Sequence, residues 1–543
     1  QYSEGHREAG AMRRKTARCW PELLGSILLA VAACQAPSNT VSPATDVPRL
    51  NVDETPSTAR AEDGRYISWR EHLIDDEQTN GGTAIRGGDG LAMADIDRDG
   101  HIDIVSVHED SNHLRIAFGT DDPDVWENVT IAEGETVAAI EDVAIGDLNG
   151  DGWLDLIAAC EEAHLLYLQN PGTSVRTQAW QGLIPAITQG RGSWLRVFTA
   201  DMDQDGRLDV LAANKGAADI IDPSQPTASR PTSLFRVDGD PLIQSSWHEQ
   251  VLSREVVPNT AMPVDIDEDG DLDVLVAARL RLEMAILEVV EPAPGQDVTI
   301  QPHPITITAG QPVSEDWKGA SSAFQSAFAD LDGDGRKDLV VAVHETPQAY
   351  EGSPLTAGLG WLKQPEQLDA PWAYFPIGDT LPDIIAGIAL ADIDGDGDLD
   401  AVTGGYSGLN ILVGAYSGAP RDRDDPRVTP ASTVGRIAWF ENPGDARLAW
   451  QRHDMLRLVR GMYDGFLPVD MDKDGDVDLV ATRGNSGSYD GVFWLEQVRS
   501  DEPRPALTKA RAEDSRALPL PPENWMETYE TEMTYTAPNK IGH

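Results

Sequence analysis

One nine-residue pattern, D-x-[DN]-x-D-G-x-x-D, recurs seven times in this chain of 543 residues. Its copies begin at Asp95, Asp147, Asp201, Asp265, Asp330, Asp392 and Asp470, at intervals of 52, 54, 64, 65, 62 and 78 residues. Self-similarity on this scale marks an architecture of stacked or ring-like units. The flanks repeat as well. The second position is apolar in every copy, from Ile96 to Met471. The last Asp opens a short apolar run, such as Ile104-Val105, Val274-Leu275 and Leu479-Val480. Runs of this length between turn signals suit strands buried on both faces. A further strand follows in most copies, as in HLLYLQNPG around Tyr167 and RIAWFENPG around Trp439. Another strand precedes each loop and usually opens with Trp: Trp69, Trp126, Trp180, Trp247, Trp372 and Trp450. The copy before Asp330 lacks it.

About four short strands in ~60 residues is the arithmetic of a propeller blade, and seven units fall within the usual number. The fold class expected is therefore all-β, a seven-bladed β-propeller. With strands named a to d from the axis outward, the repeated loop joins a to b. The chain then begins with a d strand near residues 65–74 and ends with a c strand near 491–498. Ring closure satisfies both, because the first strand completes the last blade and no sheet edge is left open.

The loop is built for a hard cation. Carboxylates two residues apart can wrap one ion, the Gly that follows allows the turn, and the ninth residue closes the shell. The candidate ligands are Asp95, Asp97, Asp99 and Asp103; Asp147, Asn149, Asp151 and Asp155; Asp201, Asp203, Asp205 and Asp209; Asp265, Asp267, Asp269 and Asp273; Asp330, Asp332, Asp334 and Asp338; Asp392, Asp394, Asp396 and Asp400; and Asp470, Asp472, Asp474 and Asp478. The main-chain carbonyl at the seventh position, His101 in the first copy, is a further candidate. An all-oxygen donor set disfavours zinc and copper, and Mg²⁺ demands tighter geometry, so the expected cofactor is Ca²⁺, about seven ions per chain. An EF-hand would need Glu at position 12. Here that position is Ser106, Ala158, Ala212, Val276, Val341, Thr403 or Ala481.

On these loops the chain resembles the FG-GAP/VCBS-repeat β-propeller proteins, relatives of the integrin α head, over about residues 65–498. The Phe-Gly and Gly-Ala-Pro elements that name the family are not clear at matching positions. The resemblance implies a propeller rigidified by calcium that serves as a binding or adhesion module.

The rest of the chain sets the context. Acidic residues outnumber basic ones 91 to 42, for a formal charge of −49. That excludes duplex nucleic acid and anionic lipid surfaces as partners, since both need a basic face. Residues 1–34 read as upstream residues and a signal peptide: Arg13, Arg14, Lys15 and Arg18 precede an apolar run from Leu23 to Ala33. The ending Val31-Ala32-Ala33-Cys34 resembles a bacterial lipobox, which implies lipidation of Cys34, secretion, and anchoring in the cell envelope at the outer membrane or cell surface. No apolar stretch after residue 34 is long enough to span a bilayer as a helix. Residues 35–64 are rich in Pro, Ser and Thr and read as a tether; 499–543 read as a polar tail, disordered or lying on the body. Cys160 is expected to be a buried, inert thiol.

In a propeller the a–b loops occupy one rim, leaving the b–c and d–a connections on the opposite face. That face collects Arg, His and aromatic residues, among them His108, Arg279, His344, Tyr406, Arg460 and Arg483. Guanidinium forks grip carboxylate or sulfate, and aromatic rings stack on sugars. The expected partner is accordingly an extracellular glycan or protein. The alternative is a carbohydrate-active enzyme, a polysaccharide lyase or sugar dehydratase, with a His such as His108 or His344 as base. No GxSxG, HExxH, P-loop or dinucleotide fingerprint stands in a credible context, and no catalytic residue is assigned.

Overall fold

A computed structural model describes residues 49–161, 164–216, 229–278, 283–292, 294–310, 325–344, 357–407, 428–512 and 515–525. The repeats form seven antiparallel sheets arranged as blades. In the first blade the strands run Gly88–Ala94, Asp103–His108, His113–Phe118 and Glu127–Glu133, in sequence order from inside to outside. At six of the seven seams the first strands of neighbouring blades lie against one another around the axis. The second strands are buried runs, broken in the described side chains only by the half-buried Lys215 of Asp209–Gly216; Asp155–Cys160, Asp273–Ala278 and Asp400–Gly405 have no exposed residue.

The ring closes as the strand order predicts. Tyr66–Asp76 pairs antiparallel with Gly491–Ser500 and completes the blade begun by Phe466–Val469 and Asp478–Arg483. Two blades gain a fifth, parallel edge strand: Leu507–Thr508 beside Tyr66–Asp76, and Ile307–Ala309 beside Trp372–Asp379.

The core is distributed over the seams. Seven apolar clusters each draw side chains from two adjacent blades, so every seam has its own. The Trp residues at the outer strands belong to these seams or their edges. Trp69, Trp247 and Trp372 are buried. The indole N–H of Trp126, Trp180, Trp247 and Trp450 donates to a carbonyl of the preceding turn, Pro123, Val175, Pro241 and Ala446 in that order, so the ring packs while its polar atom is satisfied. The outer strand without a Trp is Thr299–Pro304 of the fourth blade.

The expected tether differs from the structure, while the described part of the C-terminal segment lies on the body, one of the two expectations for it. Residues 49–64 are docked, with Val52, Ala59 and Ala61 buried. They braid with the C-terminal segment: Ser57 N–H donates to the Arg504 carbonyl (2.8 Å), Ala506 N–H to that of Thr55 (2.8 Å) and Val52 N–H to that of Leu518 (3.1 Å). A few small apolar residues suffice to seat a Pro-rich segment when backbone partners are available. Within 499–525, Ala506, Leu507 and Leu518 are likewise buried. The signal-like segment and Cys34 lie outside the described residues. No described helix is long and apolar enough to cross a membrane.

Candidate metal centres

Each loop leaves the end of a first strand and must reverse within nine residues. Two left-handed residues achieve this. The sixth position is Gly in all copies, with φ between +86° and +97°. The fourth position is left-handed too: Arg98, Gln204, Glu268 and Lys473 at φ +58° to +64°, and Gly150, Gly333 and Gly395 in the other copies. Side chains other than Gly tolerate this conformation only where something holds it. In most copies the holder is the first Asp, whose two oxygens accept backbone N–H groups across the turn. In the first copy Asp99 N–H donates to Asp95 Oδ1 and Gly100 N–H to Oδ2, both at 3.0 Å. The same pair recurs on Asp147, Asp201 and Asp330. The turn thus points the first, third and fifth side chains into one space.

The ninth Asp has a hydrogen-bonding task beside the ligand role its spacing suggests. Asp103 is fully buried; its Oδ2 accepts Ile96 N–H (2.8 Å) and its Oδ1 accepts Gly119 N–H (2.9 Å). Asp273, Asp338, Asp400 and Asp478 repeat this double acceptance, tying the loop to the end of the third strand. Asp155 takes the Tyr167 hydroxyl in place of one N–H. Burial pushes these carboxyls up, Asp103 to about 6 and Asp273 and Asp338 to about 7. Asp400 reaches about 8, where burial and the nearby Asp394 charge outweigh the N–H bonds.

Carboxylate oxygens converge within 4.8 Å of one another in the triplets Asp95–Asp97–Asp99, Asp201–Asp203–Asp209, Asp265–Asp267–Asp269 and Asp330–Asp332–Asp338. Asp265 Oδ1 and Asp332 Oδ1 are buried with no hydrogen-bond partner. Orphaned anionic oxygens in an all-oxygen set are what a hard cation would satisfy, so the residues fit Ca²⁺. The seventh position adds acids that the spacing argument passed over. Asp271 and Asp476 bury an unpartnered Oδ1 beside their loops, and burial lifts their carboxyls to about 6 and about 7. The loops are not equivalent. Arg176 reaches from the second blade to Asp97 (2.6 Å) and Asp99 (2.9 Å), and Lys363 contacts both Asp332 and Asp334.

A second device joins loops of adjacent blades. The residue whose N–H meets the ninth Asp is often Asn or Gln, and its side-chain amide donates to the second-position carbonyl of the preceding blade. Asn170 reaches Ile96 (3.2 Å), Gln364 reaches Ile266 (2.9 Å) and Gln497 reaches Ile393 (2.9 Å). The N or Q of the NPG, QPE and EQV tripeptides is its sequence signal. A histidine device was also missed. His72 and His453 stack on Trp494 and Trp439 and bond Glu496 and Glu441, two residues beyond each Trp; W-x-x-H at 69–72 and 450–453 marks both.

The residues expected on the opposite face separate. His108 is fully buried beside Ser106, and burial lowers its pKa to about 3, so it stays neutral. Arg483 is buried, paired to Glu71 (3.1 Å) and laid over Phe493 and Tyr463. These two are interior groups, not surface ligands: the long Arg stem and the ring are drawn into the blade where an internal partner stands ready. Tyr406 and Arg460 remain half-buried and come together where the sixth and seventh blades meet, through Ser407 N–H to the Gly461 carbonyl. Arg279 and the His344 side chain lie outside the described residues. Cys160 is buried, and burial pushes its thiol up to about 12, as expected of an inert thiol.

Comparison with known proteins agrees with the repeat. An FG-GAP-like repeat model matches residues 95–158 and 147–212. No curated protein matches. Among solved structures, YCF48 from Cyanidioschyzon merolae is similar at 12% identity and a TM-score of 0.40, over 79% of this chain and 98% of that one. The chain is a seven-bladed β-propeller whose residues 95–212 match an FG-GAP-like repeat.

Proposed function

We propose that this propeller is a calcium-stabilised extracellular binding module for a glycan or protein ligand, anchored to the cell envelope through a lipidated Cys34. The observation that carries the reading is the convergence of carboxylates, with orphaned buried oxygens, at one end of the blades. Calcium there offsets repulsion between carboxylates and stabilises the native state by RT ln(1 + [Ca]/Kd) per site. At millimolar calcium and a Kd of ~10⁻⁴ M that is ~1.4 kcal/mol per loop. The far face then carries recognition, with Tyr406 and Arg460 as its candidates among the residues first singled out. The burial and low pKa of His108 remove one of the bases on which an enzymatic reading would draw.

The test is thermal unfolding in EGTA, in Ca²⁺ and in Mg²⁺. Melting temperature falls in EGTA and is restored by Ca²⁺ but poorly by Mg²⁺; a melt indifferent to EGTA sinks the calcium reading. A glycan array with wild type and Arg460→Ala tests the binding face: signals are weaker for the variant, and a blank array for both turns attention to protein ligands. Release of Cys34→Ser protein from the membrane fraction tests the anchor.

A further inference from the structure

In the second and seventh blades a groove runs between the middle of the repeated loop and the end of the third strand. The two grooves match position for position. The seventh is lined by Asp474 and Asp476 of its loop with Glu496, Gln497 and Arg499. The second has Asp151 and Trp153 with Gln169, Asn170 and Gly172 in the same places. They differ in what is satisfied from within. In the seventh blade the charges answer one another: Glu496 takes Arg70 (2.7 Å) and His72 (2.8 Å), and Arg499 takes Gln497 (2.8 Å) and Asp476 (3.4 Å). In the second blade an amide, an indole and a glycine stand where Glu496, Asp476 and Arg499 stand in the other. Among the described residues, neither the Gln169 amide nor the Trp153 indole N–H has a hydrogen-bond partner. Nor do the exposed amides of Gln178 and Gln181, which line the same groove.

The frame around these groups is fixed. Asn170 Nδ2 donates to the carbonyls of Ile96 (3.2 Å) and Leu154 (3.0 Å), and its Oδ1 accepts Gly172 N–H (2.9 Å). Asp151 Oδ1 accepts the backbone N–H of Trp153 (2.8 Å). Gly172 lies against the indole, where an added Cβ would stand 3.2 Å from Nε1, so the ring needs glycine at this point. The exposed Arg98 of the first loop lies over the ring, its guanidinium 4.6 Å from the centroid. Gln169 and Gln181 are cross-strand partners, so their side chains leave the sheet on one face. The groove encloses about 310 Å³, at the small end of ligand sites. Its lining holds one ionised side chain, Asp151, so it selects for neither an anion nor a cation in the way that paired charges do. A primary amide offers a donor and an acceptor side by side, which suits a pair of neighbouring hydroxyls, and an indole adds an apolar wall with one N–H donor.

We propose that the groove of the second blade binds a neutral sugar unit of a glycan, with the Gln169 and Gln181 amides pairing its hydroxyls and Trp153 forming the wall. The proposal rests on the glycan reading given above and adds a recognition surface on the loop face, apart from Tyr406 and Arg460.

An array of neutral and acidic oligosaccharides, probed with the full chain at saturating Ca²⁺, tests it on wild type, Trp153→Ala, Gln181→Ala and Arg460→Ala. The expected result is binding of neutral oligosaccharides by wild type. Affinity is about tenfold weaker in Trp153→Ala and about fivefold weaker in Gln181→Ala, and unchanged in Arg460→Ala. Neutral signals that fall in Arg460→Ala but in neither groove variant overturn this proposal and sustain recognition at the far face. Wild type without neutral signals overturns it as well, while acidic glycans weakened by Arg460→Ala keep the far-face reading standing. Should Trp153→Ala not fold, Gln181→Ala, whose side chain is exposed, carries the test alone; an unchanged neutral signal there overturns the proposal.

Discussion

At the scale of single residues, two carboxylates of the same motif do separable work. Asp400 accepts N–H bonds from Ile393 and Asn442 and is buried. Asp267 is exposed and accepts one, from Asp269. Asp400→Asn keeps one acceptor and turns the other into a donor facing an N–H. We expect it to cost about 2–3 kcal/mol with or without calcium, read as a lower denaturation midpoint in both buffers. Asp267→Asn keeps its acceptor and loses only charge, so its cost appears in Ca²⁺ and vanishes in EGTA. Equal costs in the two buffers for both variants would undo the division. A pH test applies to His303, which bridges Glu288 in its own blade (2.5 Å) and Asp369 in the next (2.7 Å). Burial opposes its charge, but Asp369 and Glu288 prevail and hold its pKa above the ordinary value. A raised folded pKa stabilises fully below the unfolded value of about 6.5 and ceases to as pH climbs through the folded one. His303→Gln therefore costs more at pH 6 than at pH 9 in chemical denaturation; an equal cost removes the ion pair from the account.

At the scale of elements, the loop is a turn first and an ion site second. Its reversal is fixed by N–H groups on the first Asp and by left-handed residues at positions four and six. Lys363 lies on the oxygens of Asp332 and Asp334 that an ion would need. Lys363→Met should lower the melting temperature in EGTA and widen the gap between EGTA and Ca²⁺; a narrowed gap would show that the ammonium and the ion do not compete. Much of this was legible in the sequence, because turn chemistry and apolar runs are local properties. The Asp spacing, the strand order and the Trp-less fourth outer strand all follow from short windows. What was not legible depends on partners distant in the chain. Arg483 reads as a surface residue because nothing near it announces Glu71, more than four hundred positions earlier, as its partner, and the burial of His108 comes from packing that no short window shows. The left-handed fourth position was visible only as Gly150, Gly333 and Gly395, with four other residues masking it. The docking of 49–64 depends on backbone groups of residues 504–518, which composition cannot reveal.

At the scale of the molecule, a ring of seven blades has no central core to hold it, and stability resides in seven seams that must all be made at once. The last closes from both ends of the chain. Tyr66–Asp76 covers the edge of Gly491–Ser500, and Ala59, Ala61, Ile67 and Trp69 join the seam between the sixth and seventh blades. Leu507–Thr508 then seals the outer side. A chain beginning at Glu77 would lack that strand. It would expose the polar backbone of Gly491–Ser500 and leave the seam cluster short of four buried side chains. Exposed edges of this kind pair with other copies. We expect the truncated protein to unfold at lower temperature and to associate in light scattering, and a separate peptide of residues 49–76 to restore both properties by pairing in trans. If the truncated chain instead stays monomeric with an unchanged melt, closure contributes nothing and the remaining six seams suffice. If the peptide rescues association but not the melt, the strand serves to guard the edge and the seam is held by the other blades. The two functions of closure are thereby measured apart.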